Sequence, residues 1–192
     1  MPIPNQPVLD FLATRLSQPA KLFVPPVPDH AALETILALA LRVPDHGKLE
    51  PWRLIVLGPA DFPRLADLAE ARAQELGSDP VMIEKGRGQF DRGLCAVAVI
   101  SSPQASDKVP VAEQVLSAGA LCMGLVTAAT AAGWGANWLT GWPAHDAAFR
   151  ARAFGCTAEE TVAGIVHIAT PRTPAPDRPR PDLARVVRWG LP

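Results

Sequence analysis

The stretch from Pro110 to about Ala132 constrains the fold more than any other part of the chain. It carries one charged residue, Glu113, in more than twenty. Proline suits the start of a helix. The run is apolar almost all round, which predicts a long helix buried inside the protein rather than lying on its surface. Ser117, Ala118, Gly119, Ala120, Gly124, Ala128 and Ala129 are small, so another backbone can approach this helix closely. The small residues, with Ser117, Thr127 and Thr130 interrupting the apolar run, argue against a membrane span.

The rest of the chain must cover such a helix. Its 192 residues are the size of one domain, able to bury a little over two-thirds of the unfolded surface without a disulfide or metal staple. Asn5-Gln6-Pro7 caps a first helix ending near Arg15. Asp29 is the expected N-cap of a second helix, with Leu33, Ile36, Leu37, Ala40 and Leu41 on one face. Pro44 stops it. Arg53–Leu57 reads as a strand. A helix from Asp61, with Leu65, Leu68, Ala69 and Leu76 inward, closes at Gly77. Leu94–Ile100 is a strand buried on both faces. A short strand at Ala136–Leu139, a helix from Pro143 to Phe154 and a strand at Val162–Ala169 complete an α+β, or mixed α/β, domain over residues 1–171. Residues 172–192 form an extended Pro/Arg-rich tail, with five arginines against two acidic residues, whose Val186, Val187 and Trp189 need an apolar partner on the domain or on a second subunit.

The net charge of −1 gives no electrostatic case for nucleic acid or an anionic membrane. Cys95, Cys122 and Cys156 are widely spaced and odd in number, which excludes a disulfide framework and a zinc site and fits a reduced, cytoplasmic protein. No phosphate loop, HExxH, dinucleotide fingerprint or nucleophile motif is present.

Four polar segments stand out: Thr14-Arg15-Leu16-Ser17 at the end of the first helix; Arg42-Val43-Pro44-Asp45-His46 running on to Trp52; Glu113-Gln114 opening the buried helix; and Gly133-Trp134-Gly135-Ala136-Asn137-Trp138-Leu139-Thr140-Gly141 leaving it. Taken singly, each has a plain structural reading: a solvated arginine, a loop histidine, core tryptophans, a helix stop. In this order they resemble the nitroreductase family of FMN oxidoreductases, in particular its compact branch with Pro-Asp-His in a flavin loop. The resemblance extends to Val162-Ala163-Gly164-Ile165-Val166-His167-Ile168-Ala169-Thr170-Pro171.

That resemblance implies a central, mostly antiparallel sheet flanked by helices, and an intertwined homodimer around the long helix with FMN at the subunit interface. It implies FMN contacts at Arg15, Leu16 and Ser17, at Arg42 and His46, and at Trp138, Leu139 and Thr140. Ala128, Ala129, Thr130, Ala131, Ala132 and Gly133 match a stretch attributed to NADH or NADPH. It further implies hydride transfer from NAD(P)H through flavin N5 to a small organic acceptor, such as a nitro compound or quinone, by ping-pong turnover. FMN carries that chemistry, so no catalytic side chain is required. Arg42 is the expected cation near the flavin N1–C2 carbonyl.

The chain departs from the family pattern at Leu16 and Leu139, where arginine is common. A hydrogen bond to a charged group contributes roughly 1.5–3 kcal/mol, so the phosphate needs other partners or is held weakly. Lys21, Lys48 and the tail arginines are the available substitutes. The alternative is a flavin-binding or purely dimeric binding module with a weakened phosphate site.

Overall fold

The computed structural model describes residues 2–191. Five strands make one sheet: β1 (Phe23–Val24), β2 (Trp52–Leu57), β3 (Ala96–Ser101), β4 (Gly135–Leu139) and β5 (Thr161–Pro171). The order is β1-β5-β3-β2, with β4 also pairing β5, and every pairing is antiparallel. All six residues of β3 are buried, because both faces of the sheet are covered. Side chains alternate across a strand. Ala96, Ala98 and Ile100 therefore meet one cluster, with Phe62, Leu65, Phe90, Phe149 and Ile165. Val97 and Val99 meet the other, with Ile36, Leu121, Leu125, Val166 and Ile168.

The second cluster is roofed by α2 (His30–Ala40) and α5 (Val111–Ala131). The Asp29 carboxylate caps α2, accepting from the Ala32 N–H at 2.9 Å. Gly124 lets the two helices close: a Cβ there would sit 2.8 Å from the Ala40 carbonyl oxygen. The first cluster is roofed by α3 (Asp61–Glu75), α4 (Pro80–Asp91), α6 (Gly141–His145) and α7 (Ala147–Phe154). Helix α1 (Gln6–Thr14) and the one-turn α8 (Leu183–Val186) contribute no buried residue.

Several expectations are corrected. Asn5 makes no side-chain cap to α1. Leu41 and Leu76, expected inward, are exposed. The helix expected from Pro143 to Phe154 is two helices, because Asp146 leaves the helical region and caps α7 through the Phe149 N–H at 2.7 Å. Helix α4 has no clear helical pattern in the sequence, since Gly86 and Gly88 weaken it. Its start signal is nevertheless present: Asp79 caps the Met82 N–H, and Pro80 follows at the first helical position. Strand β1 and helix α8 were not anticipated.

Helix α5 is long and apolar enough to cross a membrane by length and composition. Half of that window is instead buried against the sheet and α2. Its opposite side differs from expectation within one chain: Val111, Val115, Leu116 and Met123 are exposed, Leu116 at 73%. The tail begins docked on the domain. Arg172 N–H donates to the Leu22 carbonyl at 3.0 Å, and Ala175 N–H donates to Gln18 Oε1 at 2.8 Å. Farther on, Leu183, Val186, Trp189 and Leu191 are exposed.

Candidate functional site

The Arg15–Ser17 segment follows α1 directly and is held by its neighbour Gln18. Gln18 N–H donates to the Ala136 carbonyl at 3.0 Å, and Asn137 Nδ2 donates to the Gln18 carbonyl at 2.6 Å. Two rungs thus fix the loop against strand β4. Arg15, Leu16 and Ser17 line a recess of about 210 Å³, completed by Pro176, Arg178 and Arg180 of the tail. The buried Arg15 Nε has no hydrogen-bond partner among the described residues. Arg180 pairs with Asp177 at 2.8 Å, and that carboxylate also takes the Arg178 N–H at 2.8 Å. An arginine presents five N–H donors, so one carboxylate leaves most of this set free. A recess bordered by three arginines and a serine suits an anionic group such as a phosphate.

A second recess, of about 250 Å³, has Lys21, Gln89, Arg92, Asn137, Leu139 and His167 among its lining residues. Both leucines that stand where arginine was expected therefore border recesses with cations supplied from elsewhere in the chain. Trp138 points away from them, donating its Nε1–H to the Ala163 carbonyl at 3.1 Å. The Thr140 carbonyl accepts from Gln89 Nε2 at 3.1 Å, fixing the end of β4 against α4.

The Arg42-to-Trp52 loop is held in an unusual backbone path. Gly47, Lys48 and Glu50 have φ of 75°, 56° and 47°. The latter two are uncommon for residues with a side chain and persist only where surrounding contacts enforce them. The Asp45 carboxylate does so, accepting from Leu49 N–H at 3.1 Å and Glu50 N–H at 2.9 Å. Trp52 Nε1–H donates to Ser117 Oγ at 3.1 Å, whose hydroxyl donates to the Pro44 carbonyl at 2.6 Å, tying the loop to α5. His46 Nδ1 lies 2.7 Å from Glu113 Oε2. A carboxylate only accepts, so the proton is on Nδ1. Pro44, His46, Glu113, Leu116, Ser117 and Ala120 line a shallow, largely apolar recess of about 340 Å³. Arg42 is exposed.

The structure thus gathers the expected residues into two groups. Arg15 and Leu16 also share a recess with Thr130 and Gly133, beyond the C-terminal end of α5. His46 adjoins Glu113 and Ser117 near its N-terminal end. The helical rise from Ser117 to Thr130 separates the groups by roughly 20 Å. In the nicotinamide-attributed stretch, Ala128 and Ala129 are buried and the Thr130 hydroxyl donates to the Val126 carbonyl at 2.7 Å. Lys21 stands in the second recess, as one of the substitutes named from sequence, whereas Gln89, Arg92, Glu113 and His167 do not follow from sequence as site residues. Of these four, Glu113 alone carries a sequence signal, as the sole charged position of an apolar helix. Cys95, Cys122 and Cys156 are buried free thiols, the first two pushed up to about 11 and about 12 by burial.

Residues 15–170 match a protein-family model described as "Nitroreductase family". The Escherichia coli K12 protein provisionally named NAD(P)H nitroreductase YdjA is 32% identical over 167 residues, covering 87% of this chain and 90% of that protein. A provisionally named NAD(P)H nitroreductase of Haemophilus influenzae is 34% identical over 163 residues, covering 84% and 87%. The crystal structure of a nitroreductase-like family protein from Bacillus cereus superposes with a TM-score of 0.81 at 17% identity, covering 98% of each chain. A provisionally assigned nitroreductase from Desulfovibrio desulfuricans, solved in complex with FMN, gives 0.73 at 22% identity, covering 97% of this chain and 98% of its own.

Proposed function

This chain belongs to the nitroreductase family, and from that premise we propose that it is an FMN-dependent NAD(P)H oxidoreductase that works as a cytoplasmic homodimer on a small organic acceptor. The observation that carries the reading is the recess where Arg15 and Ser17 meet Arg178 and Arg180. Buried polar atoms are normally satisfied, and the unpartnered Arg15 Nε fits a ligand oxygen. We assign the FMN phosphate to this recess. The tail arginines then replace the contact that Leu16 lacks.

FMN, when bound, supplies the electron transfer between nicotinamide and acceptor. The protein residues bind and orient it. Asn137 and Gln18 keep the Arg15–Ser17 segment on the sheet edge. Glu113 orients His46, and Asp45 holds the loop that presents it. A second copy with its α5 antiparallel would carry the partner's His46 toward Arg15 of the first. The exposed Leu116, Val115 and Met123 on α5 and Val8, Leu9 and Leu12 on α1 would be covered in that dimer. We propose ping-pong turnover, with nicotinamide and a nitro or quinone acceptor using one site in turn. The alternative of a flavin binder with a weakened phosphate site rested on Leu16 and Leu139. The cations beside both favour the catalytic reading.

The test is reconstitution. Purified protein should take up FMN, be bleached by NADH or NADPH, and be reoxidised by a nitroaromatic or quinone. Removal of residues 172–192 should weaken FMN binding about tenfold or more. A folded truncate with unchanged affinity refutes the tail's part; full-length protein that takes up no FMN refutes the whole reading.

A further inference from the structure

Arg15 and Leu16 border two recesses, each of about 210 Å³. One is the phosphate clasp completed by the tail arginines. The other, past the C-terminal end of α5, is walled by Phe11, Gln18, Thr130, Trp134 and Pro171. Phe11 lies in the last turn of α1, and Trp134 stands just past α5. Gly133, at a φ of 86°, turns the chain there, and the Trp134 N–H donates to the Ala129 carbonyl at 3.0 Å. Both rings are half-buried, so each keeps an accessible surface. The Thr130 hydroxyl gives its proton to the Val126 carbonyl, which leaves its oxygen free to accept. Gln18 Oε1 accepts from the Ala175 N–H, which leaves the two N–H donors of Nε2. No carboxylate lines this recess among the described residues.

We propose that this recess is a purine subsite, taking the adenine of an adenylate whose phosphate lies against Arg15, so that the chain holds FAD as well as FMN. The proposal rests on the FMN reading above. Aromatic faces and guanidinium planes are the groups on which bases stack, and Phe11, Trp134 and Arg15 supply both kinds here. Pockets for whole drug-sized ligands run roughly 300–1,000 Å³, so a recess of this size suits one ring system rather than a complete cofactor. Thr130 Oγ1 and Gln18 Nε2 offer the acceptor and the donors that the edge of an adenine uses. Arg15 is common to both recesses, so a ring held in one is joined by a short linkage to a phosphate held in the other. FMN ends at the clasp, whereas FAD continues past it through a second phosphate and a ribose. That second phosphate enters a clasp already bordered by three arginines, so its charge is met without further cations.

The experiment titrates full-length wild type, Phe11→Ala, Trp134→Ala and Trp134→Phe with FMN, FAD and AMP, with a thermal melt of each to establish folding. Wild type should bind FAD more tightly than FMN, and AMP alone far more weakly than FAD. Phe11→Ala and Trp134→Ala should each weaken FAD by about tenfold and leave FMN near wild type. Trp134→Phe should keep most of the FAD affinity. Phe11 belongs to a helix with no buried residue, so its replacement spares the core and stands in should Trp134→Ala not fold. Wild type that binds FAD more weakly than FMN overturns the proposal, as do folded variants that lose affinity for FMN and FAD alike. AMP that binds as tightly as FAD overturns the flavin dinucleotide as the occupant. Wild type that binds neither flavin overturns the FMN reading instead, so the two failures are distinguishable.

Discussion

Replacing Glu160 with glutamine removes an ion pair that ties β2 to the start of β5. Glu160 Oε1 accepts from Arg53 Nε at 2.8 Å, and Oε2 accepts from a terminal guanidinium nitrogen at 2.9 Å and from the Thr157 N–H at 3.0 Å. The same arginine donates to the Phe154 carbonyl at 3.1 Å. The Arg53 hydrogen bonds, working against burial, hold the Glu160 carboxyl at about 2 instead of 4.5. That drop corresponds to about 3 kcal/mol at neutral pH. Glu160's side chain is 10% exposed but Arg53's is 37%, so solvent screening reduces this to about 2 kcal/mol. A carboxyl depressed by folding contributes fully above its unfolded pKa and ceases to contribute as pH falls through its folded one. Glu160→Gln should therefore lower stability by about 2 kcal/mol at pH 7, and the melting temperature by roughly 4–8 °C for a chain of this size. Urea unfolding of both proteins from pH 7 to 2.5 should show the gap closing below 4.5. A gap that stays constant across that range would show that the charge is not what the glutamate contributes.

Gly124→Ala should destabilise by about 1–3 kcal/mol, because the neighbour its Cβ would strike is the Ala40 backbone carbonyl and cannot swing away. Thermal melts check it, and an unchanged melting temperature would mean that α2 and α5 are free to separate. Leu116→Glu places a charge on the exposed side of α5 without touching the core. Sedimentation should then show a folded monomer with weakened FMN uptake, whereas a dimer of wild-type stability would place the interface elsewhere.

The sequence exposed most where one periodicity ran unbroken. Strand β3 reads as a buried run because Leu94–Ile100 is apolar throughout, and α2 reads from its Asp29 cap and Pro44 stop. Failures came where a tertiary contact overrode local pattern. Gly86 and Gly88 make α4 a poor helix on propensity. Both are buried, and Gly86 lies against Trp142 of α6, a contact that no local rule contains. Asp146 reads as one more polar position inside a helix. Its bidentate grip on Arg72, at 3.0 and 3.1 Å, turns it into a break and a cap.

The candidate site was legible in proportion to how local each contact is. Arg15–Ser17 and the His46 loop are contiguous segments, and their resemblance to a known pattern could be seen directly. Glu113 meets His46 across 67 positions, and Gln89, Arg92 and His167 reach the second recess from helices and strands far apart in the chain. Side chains brought together only by folding leave no spacing to recognise. Under the FMN reading proposed above, Leu16 makes the phosphate site look depleted for the same reason: a pattern read position by position sees an arginine lost, while a phosphate responds to the sum of charge around it. Arg178 and Arg180 border the same recess as Leu16 from the tail, and Lys21 and Arg92 border the recess that holds Leu139. Charge at such a site can therefore migrate along the sequence while its position in space is kept. Returning arginine at Leu16 in a chain cut after Pro171 should accordingly recover part of the FMN affinity lost with the tail, and failure of that variant to improve on the truncate would argue that position 16 does not face the phosphate.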